Sequence, residues 1–353
     1  MDEMTRKQGS NTKCANCASD LYFDPVSQAL KCPTCQSVFE FDKSSDIERH
    51  SWQTRKEEGN YQEWVQESKF IKCQSCGAEV ILGELDITHD CPYCGSTYVL
   101  ERKSLPGYKP DGVVPFLFNE DGASDRFKSS VKKHFFAPHS FKKKTPSTSV
   151  HGIYIPAFTF DGKSASSYNG VLVKEIRKKD KNGNIKVERK IMNISGRQDM
   201  IHTNYIEESS SKITASDLAA LLPYDLSKTF RFDQNYLRGY KVEHYDSAIE
   251  IAYDQSHQKM AEAIKRKILS GYDYTYVERI DIKTDFFEEF FAYRLIPLYI
   301  LDFMYKNKRY TILMNGQSGK VGKGIPISPV KVGFTIFFII LIVCGIIALT
   351  YLG

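Results

Sequence analysis

The pattern of apolar and polar positions divides this chain into two unlike regimes. From Val332 to Leu352 it reads VGFTIFFIILIVCGIIALTYL, with no charged side chain. At about 1.5 Å per residue such a helix extends roughly 30 Å, the thickness of a bilayer's hydrocarbon core, so one transmembrane helix is expected over 332–352. Ahead of it, strand signals dominate residues 105–328: 113–118, 152–160, 168–177, 185–194, 200–206, the alternating tyrosines 272, 274 and 276, then 280–282, 291–305 and 309–314. Lys181-Asn-Gly-Asn184 reads as a tight hairpin turn, because Asn-Gly supplies the positive φ angles such a turn needs. Helices are expected over 124–136, from the box Thr214-Ala-Ser-Asp217 to Pro223, and from the capping box Ser247-Ala-Ile-Glu250 to about Leu269. Strand following strand with few crossover helices predicts an α+β domain with a mostly antiparallel sheet.

Charge orients the tail. Lys306, Lys308, Arg309, Lys320, Lys323 and Lys331 precede the span against the single acid Asp302, and no charged side chain follows. The positive flank predicts that residues 1–331 face the cytoplasm, with the C-terminus outside the cell membrane. No apolar stretch opens the chain, so no secretion signal is expected. The composition, 42% hydrophobic and 26% charged, is that of a globular protein and excludes general disorder. A net charge of +5 suits an anionic membrane surface as well as nucleic acid and separates neither.

Eight of the nine cysteines fall between residues 14 and 94. They form two copies of C-x2-C-x14-C-x2-C, Cys14, Cys17, Cys32 and Cys35, then Cys73, Cys76, Cys91 and Cys94, repeated 59 residues apart. A C-x2-C turn aims two thiolates at one ion, and two such turns joined by a short hairpin complete a tetrahedral shell. Two zinc ribbons are therefore expected, over 1–44 and 71–102, each holding one structural Zn2+. Four thiolates leave no open position for a reacting water. Iron–sulfur clusters and disulfides are the alternatives, the latter unsuited to a cytoplasmic domain. His50 and His89 are not needed to complete a shell and read as surface residues. Cys344, inside the span, reads as apolar filler. The connector 45–70 is charged and helix-forming, and it carries Trp52 and Trp64, the only tryptophans. They either pack against a ribbon or form a stripe for docking a partner.

Catalytic patterns are missing from the sequence: no nucleophile elbow, no H-E-x-x-H, no dinucleotide loop. Gly316-Gln-Ser-Gly-Lys-Val-Gly-Lys323 lacks the spacing and hydroxyl of a phosphate loop. A non-enzyme is expected. The segment 126–144, RFKSSVKKHFFAPHSFKKK, interleaves Arg126, Lys128, Lys132, Lys133, Lys142, Lys143 and Lys144 with aromatics. It suits anionic lipid headgroups, nucleic acid, or an amphipathic helix with its phenylalanines inward.

Several phrases together resemble a bacterial family: CPYCGSTYVL (91–100), GVVPFLF (112–118), FFAPHSF (135–141), GIYIPAFTF (152–160), the long segment 295–328, and the terminal span. That family is labelled TFIIB-type zinc-ribbon protein (YdjG-like), and often primosomal protein N′ or replication factor Y. The resemblance spans residues 73–330. Helicase activity is not implied, since the nucleotide loop is missing. What the resemblance implies is a membrane-anchored adaptor for membrane-stress components, PspA-type or SPFH (flotillin-like) proteins. The alternative expectation is a membrane-associated nucleic-acid binder using the ribbons and the 126–144 patch.

Overall fold

A computed structural model of the chain describes residues 13–352, apart from 59–66, 74, 83–90, 92, 94–95, 97–100, 105–108, 144–148, 180–184, 211 and 246. The chain opens with three short strands, β1 (Tyr22–Asp24), β2 (Ala29–Lys31) and β3 (Val38–Phe39), which form a small antiparallel sheet of their own. Next come β4 (His50–Ser51), α1 (Trp52–Glu58), β5 (Glu67–Lys72), β6 (Glu79–Leu82), β7 (Glu101–Ser104) and β8 (Gly112–Val113). Helices α2 (Glu120–Lys133) and α3 (His139–Lys143) lead into two very long strands, β9 (Ser149–Lys179) and β10 (Ile185–Glu208). Helix α4 (Ala215–Leu221), β11 (Phe230–Arg231), β12 (Lys241–Glu243) and α5 (Ile249–Leu269) follow. A third long strand, β13 (Tyr276–Tyr305), then turns into β14 (Lys308–Asn315), and α6 (Pro329–Leu352) ends the chain.

The architecture is α+β and mostly sheet. Antiparallel β9 and β13 form its spine, from Ser149↔Asp302 to Val173↔Tyr276. Side chains alternate across a strand, so this spine has two chemically different faces. Even positions of β9 (Tyr154, Phe158, Phe160) meet odd positions of β13 (Tyr293, Leu295, Tyr299) in a largely aromatic core under α2, α3 and the first ribbon. Ile153, Ile155 and Ala157 meet Ile296, Leu298 and Ile300 in an aliphatic core under α4. Burial on both faces explains why LIPLYIL (295–301) reads as an unbroken apolar run. Packing is tight enough that a Cβ on Gly152 would lie 2.5 Å from the ring of Tyr240.

The long strands differ from expectation. Residues 161–167, DGKSASS, resemble a loop in composition, yet β9 runs straight through them. Their small polar side chains pair across the sheet instead: Ser164 Oγ lies 2.8 Å from His202 Nε2, and Ser166 Oγ 2.9 Å from Thr284 Oγ1. Residues 195–199 of β10 likewise stay in register against 165–169. Both neighbours of β9 bulge at one level, β10 between His202 and Tyr205 and β13 between Phe287 and Phe290, opposite Asp161 and Gly162. Asp161 Oδ1 accepts the Asn204 amide there at 2.6 Å. Paired bulges bend and twist a sheet, and residues 163–179 of β9 pair with β10 and β13 beyond them.

Helix boundaries also moved. Helix α2 begins at Glu120, because Asn119 caps it through the Gly122 amide at 2.9 Å, upstream of the expected start. Thr214 and Asp217 form the capping box of α4 as expected. Ser247 does not cap α5: the N-cap is Ala248, without a side-chain hydrogen bond. The Lys181–Asn184 turn lies outside the described residues, although the strands on either side of it pair.

One buried residue closes the sheet to α4. Asn315 Nδ2 donates to the carbonyls of Leu221 (3.1 Å) and Pro223 (3.2 Å), while its Oδ1 accepts the amides of Gln317 and Ser318, both at 2.8 Å. All four hydrogen-bonding sites of the amide are used. Asn315→Ala leaves these backbone groups without their buried partner, and a loss of about 2–4 kcal/mol is expected in chemical denaturation of the detergent-solubilised protein.

Candidate metal centres

The cysteine pairs share one local geometry. In the first knuckle the Cys14 amide donates to Ser19 O (2.7 Å) and the Ala18 amide to Cys14 O (2.8 Å). The same two bonds recur at Cys32 (to Ser37 O, and from Gln36) and at Cys73 (to Ala78 O, and from Gly77). At Cys91 the amide bond to Ser96 O is present at 2.9 Å. Closing this turn requires a left-handed residue four places after the first cysteine, and Ala18 (φ 58°), Gln36 (φ 62°) and Gly77 (φ 70°) occupy it. The repeat seen in sequence is thus a repeat of backbone conformation.

The knuckles bring their sulfurs together. Cys14, Cys17, Cys32 and Cys35 have all four Sγ atoms within 4.8 Å of one another, as do Cys73, Cys76 and Cys91. Nearest sulfur contacts are 3.5 Å (Cys14–Cys35), 3.4 Å (Cys17–Cys32) and 3.6 Å (Cys76–Cys91). A disulfide would bring a pair to about 2.05 Å, whereas a tetrahedral S4 shell with bonds near 2.3 Å has edges of about 3.8 Å. The separations match the shell and exclude the bond. Cys94 lies outside the described residues. Both clusters therefore suit metal binding.

The first cluster's electrostatics favour a cation. Cys35 is brought down to about 6 by the Ser37 hydroxyl and amide. Cys17 is pushed up to about 12: the Ser19 amide works to lower it, but the sulfur of Cys32, burial and the other two sulfurs outweigh that bond. Cys32 is also lowered, first by the Cys35 amide, so thiolates form on Cys32 and Cys35 while Cys17 is opposed, a conflict that a divalent ion at the centre removes.

Both ribbons are docked on the body and do not project freely. The first turns Cys14 and Cys32 inward and leaves Cys17 and Cys35 exposed. Its Phe23 amide donates to Arg238 O at 3.0 Å, and Phe23, Phe41 and Tyr236 stack edge to face at 4.9–6.2 Å between centroids. The second is sewn into the main sheet by β6 against β12, Val80↔Glu243 and Ile81↔Val242. Buried Glu243 accepts the Tyr93 hydroxyl from within the second knuckle, and Lys212 donates to Cys76 O. Tyr93, Lys212 and Glu243 were missed by the sequence reading. Only the unusual burial of an acid in a short strand marks them, and that is invisible before the fold is known.

The remaining site expectations separate. Trp52 is not on a docking surface and does not pack on a ribbon: it is buried, stacked at 3.9 Å on Tyr253 of α5 and edge-on to Phe160 and Phe291. Trp64, His89 and Lys144 lie outside the described residues. His50 is no surface residue either. It is half-buried, with Nε2 2.8 Å from Asp111 Oδ1, while Asp111 Oδ2 accepts the Tyr293 amide at 2.8 Å. Asp111 raises the His50 pKa above its ordinary 6.5. A raised folded-state value gives stability that is complete below the unfolded value and is lost as pH rises through the folded one. His50→Gln should therefore lower the melting temperature more at about pH 5.5 than at about pH 8.5, read by parallel thermal melts.

In the 126–144 segment, Phe127 and Phe141 are core residues. Arg126 lies 4.1 Å over Phe118, Lys128 pairs with Asp125 at 3.3 Å, and Lys142 donates to Lys132 O at 3.0 Å. Lys132, Lys133 and Lys143 are exposed. The tail forms one helix, Pro329–Ile347 having a mean hydropathy of 2.7 with none of it buried against the protein. Its length and composition are those of a membrane anchor.

Comparison with known proteins adds a whole-length similarity and little chemistry. No family model matches the chain, and no solved structure matches it. It is similar to a Bacillus subtilis (strain 168) protein described as uncharacterized protein YdjG, 26% identical over 327 residues that cover 91% of each chain.

Proposed function

We propose that this chain is a membrane-anchored, cytoplasm-facing adaptor. Two structural zinc ions set its ribbons, and it recruits protein partners to the bilayer without performing catalysis. The observation that carries this reading is the first ribbon's outward face. Tyr22, Lys31 and Val38 lie in one cross-strand row, and Tyr22 (39%), Val38 (49%) and the turn residue Val26 (70%) are exposed on a hairpin that the cysteine cluster holds rigid. A rigid, partly apolar surface tied to a membrane raises the local concentration of whatever it binds. The family resemblance of the sequence motifs suggests PspA-type or SPFH proteins as the partners to test first.

The nucleic-acid alternative keeps only part of its patch, since Phe127 and Phe141 are buried and cannot stack on bases while Phe135 is exposed. The test is a crosslinked pulldown in detergent, with full-length protein and a Val26→Asp/Val38→Asp variant. Cysteine changes are avoided because they disturb the fold. A defined protein captured by the parent and lost with the variant is expected. Recovery of nuclease-sensitive nucleic acid in place of protein, released steeply by salt, would sink the adaptor reading.

A further inference from the structure

The turn between α2 and α3 meets the top of the anchor. Lys331 Nζ donates to Phe135 O at 2.9 Å and to Ala137 O at 2.8 Å, and the Ser328 amide donates to Phe136 O at 2.8 Å. These bonds pin the turn at the residue where the apolar run begins. Phe135 is 66% exposed and, with Phe334, Phe338, Ile339 and Ile342, lines an open apolar groove of about 370 Å³. Phe334, Phe338 and Ile342 follow one another at four-residue steps down one face of α6. Phe338 lies about 10 Å along the helix from Lys331. The Phe135 ring shares this groove and has Lys331 Nζ 5.8 Å from its centroid, which puts it at the groove's upper end.

We propose that this turn is a second membrane contact, resting on the reading of α6 as a bilayer anchor. Phe135 lies among the acyl chains beside α6, and Lys132, Lys133 and Lys143 meet the phosphates of anionic phospholipids. The occupant follows from two features together. The groove is continuous with the span, so hydrocarbon fills it. The exposed ammonium groups at the ends of α2 and α3 flank the turn at headgroup level, and the Lys142–Lys132 bond holds the two helix ends side by side. With the anchor as one point and Phe135 as another, the body cannot swivel on its tail.

The test uses full-length protein in vesicles of phosphatidylcholine with about 30% phosphatidylglycerol, the bromine being carried either on all of the phosphatidylglycerol or on an equal amount of the phosphatidylcholine. Phe135→Trp and Phe338→Trp are each compared with the parent, whose own tryptophans give the baseline. The added emission of F135W should be quenched as that of F338W is, and about twofold more when phosphatidylglycerol carries the bromine. That preference should disappear when Lys132, Lys133 and Lys143 are all changed to alanine. Quenching of F338W without F135W overturns the proposal and leaves the anchor standing. Quenching of neither overturns both. Equal quenching of F135W by the two lipids overturns the assignment of anionic headgroups.

Discussion

Replacing Cys32 by serine is expected to halve the metal content of the purified protein, from two zinc equivalents to one, and to unfold the first ribbon. Zinc binding to a four-cysteine site contributes on the order of 10–16 kcal/mol, comparable with the whole stability of an ordinary domain at about 5–15 kcal/mol. A ribbon with strands of two and three residues has no other source of that size. The damage should not stop there. Leu21, Phe23 and Leu30 belong to the same buried cluster as Tyr236 and Tyr240, so loss of the first ion should also lower the melting temperature of the body. Cys73→Ser should likewise cost one ion, but with a smaller change in global structure, because β6 stays paired to β12. Elemental analysis with thermal melts in detergent decides the matter. Two retained ions in Cys32→Ser would refute the ligand assignment, and visible absorption from iron would refute zinc.

Trp52→Ala should destabilise the body by about 3–5 kcal/mol, the usual cost of deleting a buried large aromatic side chain. The indole is held between Tyr253 on α5 and Phe160 and Phe291 on the sheet, with the Arg55 guanidinium 4.9 Å from its ring. Arg55 in turn pairs with Glu250 at 2.7 Å. Trp52 therefore seats the connector in the same aromatic core that holds Leu21, Phe23 and Leu30 of the first ribbon. Trp52→Phe should recover more than half of the loss by keeping a stacked ring. Denaturation curves test this directly. A change in Trp52→Ala below about 0.5 kcal/mol would return the residue to the surface class.

What the sequence made legible was local and chemical. Fixed cysteine spacing announced the knuckles, because metal ligation demands residues at set offsets. The uncharged run after Lys331 announced a long apolar helix, because length and polarity decide that by themselves. Thr214 and Asp217 announced a helix start. Long-range partnership stayed hidden. Ser164 and Ser166 look like loop residues until His202 and Thr284 are placed opposite them. Trp52 looks like a surface residue among charges until α5, some 200 positions later, closes over it. The second ribbon looks autonomous until β12 arrives at its edge. In each case the deciding neighbour is far away in the chain, and no local pattern encodes it.

The spine of the sheet carries a consequence for synthesis. Ser149 and Asp302, partners at one end of the β9–β13 pairing, are 153 residues apart. At about 5–20 residues per second on the ribosome, the first half of that pairing waits roughly 8–30 s for the second. Throughout that interval β9 has β10 on one side and a bare edge on the other, an opening for mispairing with other nascent chains. The small polar residues Ser164, Ser166 and Ser167 keep that stretch of the waiting strand hydrophilic. Hydrophilic spacing is thus placed on the strand that waits longest for its partner.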